Sequence, residues 1–135
     1  PANPWRCGDS VSIKGHVWVC VGTCGDGSAV ILHCTPSESR QGEQGGGVQL
    51  SSINPSATAA TSEARQLAEH YMTKYYPEWS RRYPVVEKPY GQYTDITSDN
   101  RTGRFTWLTD GTFLTDPDGY ATMSAAEILA DLFGE

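Results

Sequence analysis

Basic residues are scarce in this chain. Lys and Arg together number 10 against 16 Asp and Glu, for a formal net charge of −6 at pH 7. A nucleic-acid binder needs clustered cations to meet phosphates, so no nucleic-acid partner is expected. The sole adjacent basic pair, Arg81-Arg82, stands near Glu78 among aromatics and reads as a solvated helix end. Long apolar runs are lacking too. The longest are Val17 to Val21 and Ala29 to Leu32, far short of the roughly 20 residues a helical membrane span needs. Cysteine is present but confined. Cys7, Cys20, Cys24 and Cys34 all fall in the first quarter, where a disulfide scaffold would spread them along the chain. They read as small buried residues. The chain opens Pro1-Ala2-Asn3-Pro4 with neither Met nor a signal-peptide pattern, and is expected to be the downstream part of a longer protein.

What is there fits one ordinary globular domain over 1–135. Apolar residues make up 38% and charged residues 19% of the chain. Residues 9–53 read as strands, 54–62 as a small-residue linker, and 63–135 as two helices with strand and loop between them. Val17 to Gly22 and Ala29 to Cys34 are rich in β-branched residues and predict a hairpin. Asp26-Gly27 at its tip predicts a two-residue type I′ turn. In that register Cys20 faces His33 and Trp18 faces Thr35. One face then carries His16, Trp18, Cys20, Ile31 and His33. The other carries Val17, Val19, Val21, Leu32 and Cys34, and is expected to be core.

Ser10 to Ile13 and Val48 to Leu50 read as further strands, and Arg104 to Trp107 as another. Ala64, Leu67, Ala68, Tyr71, Met72 and Tyr75 recur at helical spacing. Thr61 or Ser62 can cap that helix, and Pro77 is expected to end it soon after Tyr76. Ser124 with Glu127 makes a capping box for a final helix bearing Ile128, Leu129, Leu132 and Phe133. The expected class is α+β: an antiparallel sheet of about four to five strands packed on helices 63–76 and 124–133.

Two histidines on one strand face are the base-and-orienter half of a nucleophilic site. One imidazole takes a thiol's proton while a second polar group fixes the ring's tautomer and direction. The thiol works best at a helix N-terminus, where the dipole lowers its pKa. Cys20 shares the face but sits in a strand without that activation, so a buried structural role is expected for it; Cys7 ranks lower still. Zinc could draw on Cys20, Cys24, His33 and Cys34, yet adjacent His33 and Cys34 point to opposite faces of a strand. No metal site and no cofactor are expected. Trp18 is the expected substrate-contacting aromatic, and His70 is expected to be exposed. Asp116-Pro117-Asp118-Gly119-Tyr120 lacks the acids an EF-hand needs at Leu114 and Ala125, and reads as a turn. Tyr71, Tyr75, Tyr76, Trp79 and Tyr83 read mainly as core.

Gly8-Asp9-Ser10-Val11, Gly15-His16-Val17-Trp18-Val19-Cys20-Val21-Gly22, Val30-Ile31-Leu32-His33-Cys34 and Gly46-Gly47-Val48-Gln49-Leu50 together resemble the β portion of NlpC-type cell-wall cysteine peptidases. These are papain-like hydrolases of bacterial peptidoglycan stem peptides. The CHAP amidases share the layout and are a close second. The resemblance covers about residues 5–53, with Cys7 where the family usually has proline. It implies His16 as general base, His33 as the orienting residue, amide hydrolysis through a thioester, a peptidoglycan peptide or glycan as partner, and an extracellular or cell-wall location. The family's nucleophile precedes this region, in an aspartate-cysteine-serine motif on a helix. This chain has neither that helix nor that motif, so alone it is expected to be inactive. Its uncovered sheet face is then expected to promote self-association. The alternative is a non-catalytic peptide- or glycan-binding module using the Trp18/His33 face. Residues 77–123 match no motif with a mechanism.

Overall fold

The computed structural model describes residues 5–13, 16–39, 42–54, 61–89, 103–112 and 114–135. The strand-rich first half forms β1 (Ser10–Ile13), β2 (His16–Thr23), β3 (Ala29–Cys34) and β4 (Val48–Asn54). The second half contributes α1 (Glu63–Tyr75), α2 (Pro77–Arg82), β5 (Glu87–Pro89), β6 (Gly103–Phe105), a 3₁₀ turn at Tyr120–Thr122 and α3 (Ala125–Phe133). The class is α+β. Among the described residues the sheet has six strands, in the order β5-β4-β3-β2-β1-β6. It is mixed rather than purely antiparallel, because β5 joins β4 in parallel. Most of the expected 54–62 linker, residues 55–60, lies outside the described residues.

The hairpin turn differs from the expected type I′. Asp26 does not have positive φ; Gly27 alone in the turn does, at 84°. Cys24 N–H donates to Ser28 C=O at 2.8 Å, and Gly27 N–H to Cys24 C=O at 3.0 Å, so three residues form the loop and Gly27 takes the left-handed position. A β-bulge then shifts the register between Cys20 and Gly22. Trp18 therefore pairs with His33, and Cys20 with Ile31. The two displacements add to two residues, and the side-chain period is two. His16, Trp18, Cys20, Ile31 and His33 thus still share a face, as expected from the sequence.

Which face is core was the larger error. The face carrying Trp18, Cys20 and Ile31 is closed, with Trp5, Val11, Ala29 and Ile53 completing a buried cluster. On the opposite face only the turn-proximal half is covered. Val21, Val30 and Leu50 pack against Ala64, Ala68, Tyr71 and Met72 of α1 and Ala125, Ile128 and Leu129 of α3. Val17, Leu32, Cys34 and Val48, further from the turn, are exposed. The reason lies in where the helices are anchored. Asp26 Oδ2 accepts Glu63 N–H at 2.9 Å, Ser28 Oγ accepts Ala64 N–H at 3.1 Å, and Ser62 Oγ accepts Arg65 N–H at 3.1 Å. The hairpin tip and Ser62 so satisfy the first free N–H groups of α1. Gly22 lets α3 approach: a Cβ there would lie 2.8 Å from Ala125 Cα. Both helices are held at the turn end and leave the far end of that face bare.

The final helix carries the expected capping box between Ser124 and Glu127. Pro77 does end α1, but it also occupies the first turn of α2, the position its fixed φ suits. Across the sheet, Arg104 of β6 clamps the buried Asp9 carboxylate at 2.6 Å. Its guanidinium lies 4.0 Å over the Trp5 ring, closing the Trp18 side.

Candidate active site

His16 opens β2 and His33 sits one residue before the end of β3. Strand alternation aims both at the same face, and the register places them as diagonal neighbours. Their rings meet edge to face, with centroids 5.4 Å apart and planes at 74°. They line a cavity of about 470 Å³ with Thr35, Pro36, Val86, Lys88 and the exposed Cys34. Thr35 holds the wall by accepting Gly47 N–H on Oγ1 at 2.9 Å and donating its own N–H to Gly47 C=O at 2.8 Å.

Both imidazoles are held neutral near pH 7. Burial lowers the pKa of His16, and the charge of Lys88 adds to this. His33 is only 7% exposed. Burial, then His16 and Lys88, push it down to about 4. A neutral imidazole is the form that can accept a proton, and His16, half-buried at the cavity, is the better placed of the two to do so.

Behind His33 lies a polar network that the sequence did not reveal. Ser51 Oγ is 2.7 Å from His33 Nε2 and accepts Val86 N–H at 3.1 Å. Gln49 Nε2 donates to Ser51 Oγ at 3.4 Å and to Pro84 C=O at 3.2 Å, while Trp79 Nε1–H donates to Gln49 Oε1 at 2.9 Å. Gln49, Ser51 and His33 share one face because β3 and β4 pair His33 with Gln49 and Ile31 with Ser51. The signal available was the alternation Gln49, Ser51, Ile53, which continues past Leu50, where the sequence reading ended the strand. Lys88 was missed because Glu87-Lys88-Pro89 has no strand propensity of its own.

The remaining expected residues are not part of the cavity. Trp18 is fully buried and stacks edge-on against Trp5 at 5.0 Å. It has no surface for a substrate to touch, which corrects its expected binding role. Cys20 is 1% exposed. Burial, and then Asp9, push its thiol up to about 12, so it holds no thiolate at neutral pH. Burial also raises Cys7, with Asp116 and Asp9 adding to it, and burial pushes Cys24, in the hairpin turn, up to about 11 despite a hydrogen bond with Ser28. His33 and Cys34 do point to opposite faces, one buried and the other exposed. Among the described residues no group of three or more His, Cys, Asp or Glu is placed to hold a metal ion, and no helix is long and apolar enough to cross a membrane.

His70 is exposed, its ring 5.1 Å from that of Tyr71. Arg81 pairs with Glu43 at 3.2 Å on the surface of α2. Asp116 accepts the Tyr120 and Ala121 N–H groups at 3.0 and 2.9 Å, so its carboxylate caps a turn. Of the aromatic group, Tyr71 and Tyr83 are buried. Tyr76 and Trp79 line a depression of about 550 Å³ with Leu32, Val48, Leu132 and Phe133, on the face away from the histidines. That hollow is larger than the histidine cavity, but among the described residues its lining holds no carboxylate, imidazole or thiol, so the smaller cavity is the candidate site. Comparisons of the chain with protein-family models, curated proteins and solved structures gave no match.

Proposed function

We propose that this chain is the base-bearing portion of an NlpC-type, papain-like cysteine hydrolase acting on amide bonds of peptidoglycan stem peptides outside the bacterial cell. The observation that carries the reading is the His16–His33 pair, neutral and edge to face in one cavity. In this mechanism a thiol from outside the 135 residues attacks the amide carbonyl, and His16 takes the thiol proton. His16 then passes that proton to the leaving amine as the C–N bond breaks. Water, deprotonated by His16, cleaves the resulting thioester and restores the thiol. His33 holds the His16 ring in place. Lys88 supplies positive potential that favours a thiolate or a carboxylate-bearing peptide.

His16 and His33 open onto the cavity that Thr35 and Pro36 also line, so in this reading the thiol approaches from that side. A CHAP-type amidase would use the same residues on a different bond of the same polymer. The binding-module alternative loses its aromatic contact, because Trp18 is buried.

The test is digestion of purified peptidoglycan by the protein encoded by the intact reading frame, with fragments read by mass spectrometry. Stem-peptide cleavage is expected, falling by about 10²- to 10⁴-fold in His16→Ala, the range of a lost general base. The 135-residue chain alone is expected to show none. Cleavage that survives His16→Ala, or cleavage by the isolated chain that Cys20→Ala abolishes, would refute the reading. Binding without cleavage would favour the module.

A further inference from the structure

The network behind His33 settles a question of proton placement by counting. A serine hydroxyl has one proton and two lone pairs. Val86 contributes a backbone N–H, which can only donate, and it points at Ser51 Oγ at 3.1 Å. Gln49 also donates to Ser51 Oγ, and its orientation is fixed from both ends. Trp79 Nε1–H can only donate, so the Gln49 atom it meets at 2.9 Å is the carbonyl oxygen. Pro84 C=O can only accept, so the Gln49 atom it meets at 3.2 Å is the amide nitrogen. With both lone pairs of Ser51 engaged, its proton goes to the remaining neighbour, His33 Nε2, at 2.7 Å. Ser51 and Gln49 are 1% and 3% exposed, which leaves little access for water to alter the count.

We propose that Ser51 is a positioning residue that locks neutral His33 as its Nδ1–H tautomer, so that the one acceptor nitrogen of His33 is held by Ser51 and is not available to His16. A neutral imidazole has one acceptor nitrogen, and Ser51 occupies it. In the hydrolase proposed above, on which the catalytic meaning of this inference rests, the third residue therefore steadies His16 by edge-to-face ring packing. It does not act as the acceptor that would stabilise an imidazolium. Protonating His33 would place a proton on Nε2 facing a hydroxyl whose lone pairs are taken, which agrees with its depressed pKa.

The tautomer is read directly on the 135-residue chain by long-range ¹H–¹⁵N correlation of the histidine rings at pH 7.5. His33 is expected to show a protonated Nδ1 and an unprotonated Nε2. Ser51→Thr, which keeps the hydroxyl, is expected to preserve this pattern. Ser51→Ala is expected to release it toward Nε2–H. A wild-type spectrum showing Nε2–H overturns the assignment by itself, whether or not Ser51→Ala folds. So does a folded Ser51→Ala variant whose His33 tautomer is unchanged. The readout is independent of turnover. An intact protein that cleaves no peptidoglycan while His33 remains Nδ1–H refutes the hydrolase and leaves the role of Ser51 standing.

Discussion

Replacing His33 with Gln should remove a specific acid sensitivity from the fold. The ring is buried and neutral, with a pKa of about 4 in the native state against 6.5 for the ordinary side chain. The unfolded chain therefore takes up a proton between these values while the folded chain does not. The folded pKa is the lower one, so the contribution of His33 to stability is fully present above about pH 6.5. It declines as the pH falls through the window and levels off below about pH 4. At about 1.4 kcal/mol per pH unit the ceiling is about 3 kcal/mol, with about 2 kcal/mol lost by pH 5. Urea titrations at pH 7.5, 6 and 5 would show this as a wild-type midpoint falling by on the order of 1 M, for an m-value between about 1 and 3 kcal/mol/M. Carboxylates titrate in both proteins, so the quantity to read is the difference between wild type and His33→Gln. Glutamine carries no titrating group, so the variant should lose about 2 kcal/mol less over the same range. If the two proteins decline in parallel, His33 is not held neutral by the fold and the reasoning fails.

Other substitutions test the packing that creates the site. Trp18→Ala should destabilise the domain by about 3–5 kcal/mol, as expected for a buried Trp, with a lower Tm by calorimetry; a near-neutral result would mean that Trp18 is exposed. Gly22→Ala would place a Cβ 2.8 Å from Ala125 Cα and 3.0 Å from its N, backbone atoms that cannot step aside alone, so a loss of about 1–3 kcal/mol is expected. Hydrogen exchange should then quicken in α3 before it does in β3, and unchanged protection in α3 would contradict the close approach. Thiol labelling of the native chain should modify Cys34 first and leave Cys20 protected until the protein unfolds, because one is exposed and the other is 1% accessible with its thiol pushed up to about 12; early labelling of Cys20, read by peptide mass spectrometry, would place it at the surface.

The sequence was informative wherever the controlling interaction is local. The Ser124–Glu127 capping box, the Ser62 cap and the apolar spacing of α1 each depend on residues within a turn or two of one another, and each is found. The pairing of His16 with His33 on one face was also legible, because alternation along a strand is a local property. It survived a wrong turn type because the three-residue loop and the bulge together shift the register by an even number. The loop type itself was not legible: Asp-Gly suits a type I′ turn, but Asp26 is instead recruited to accept Glu63 N–H and Gly27 alone takes positive φ.

By itself, then, the sequence determined β1 to β4, α1 and α3, the caps of both helices, and the fact that both histidines look the same way. Tertiary structure decided which way that is. The docking of α1 and α3 at the hairpin tip left Val17, Leu32 and Val48 bare, while Trp5, closing over the other face, put Trp18 in the core. A face becomes interior because of what packs on it, and no periodicity within a strand encodes that. The same holds for the site's surroundings. Lys88 reaches the cavity only because a three-residue strand without β propensity pairs with β4. Ser51 reaches His33 only through the β3–β4 register. Contacts between residues 18 or more positions apart are set by how the elements assemble, and the proton on His33 follows from that assembly.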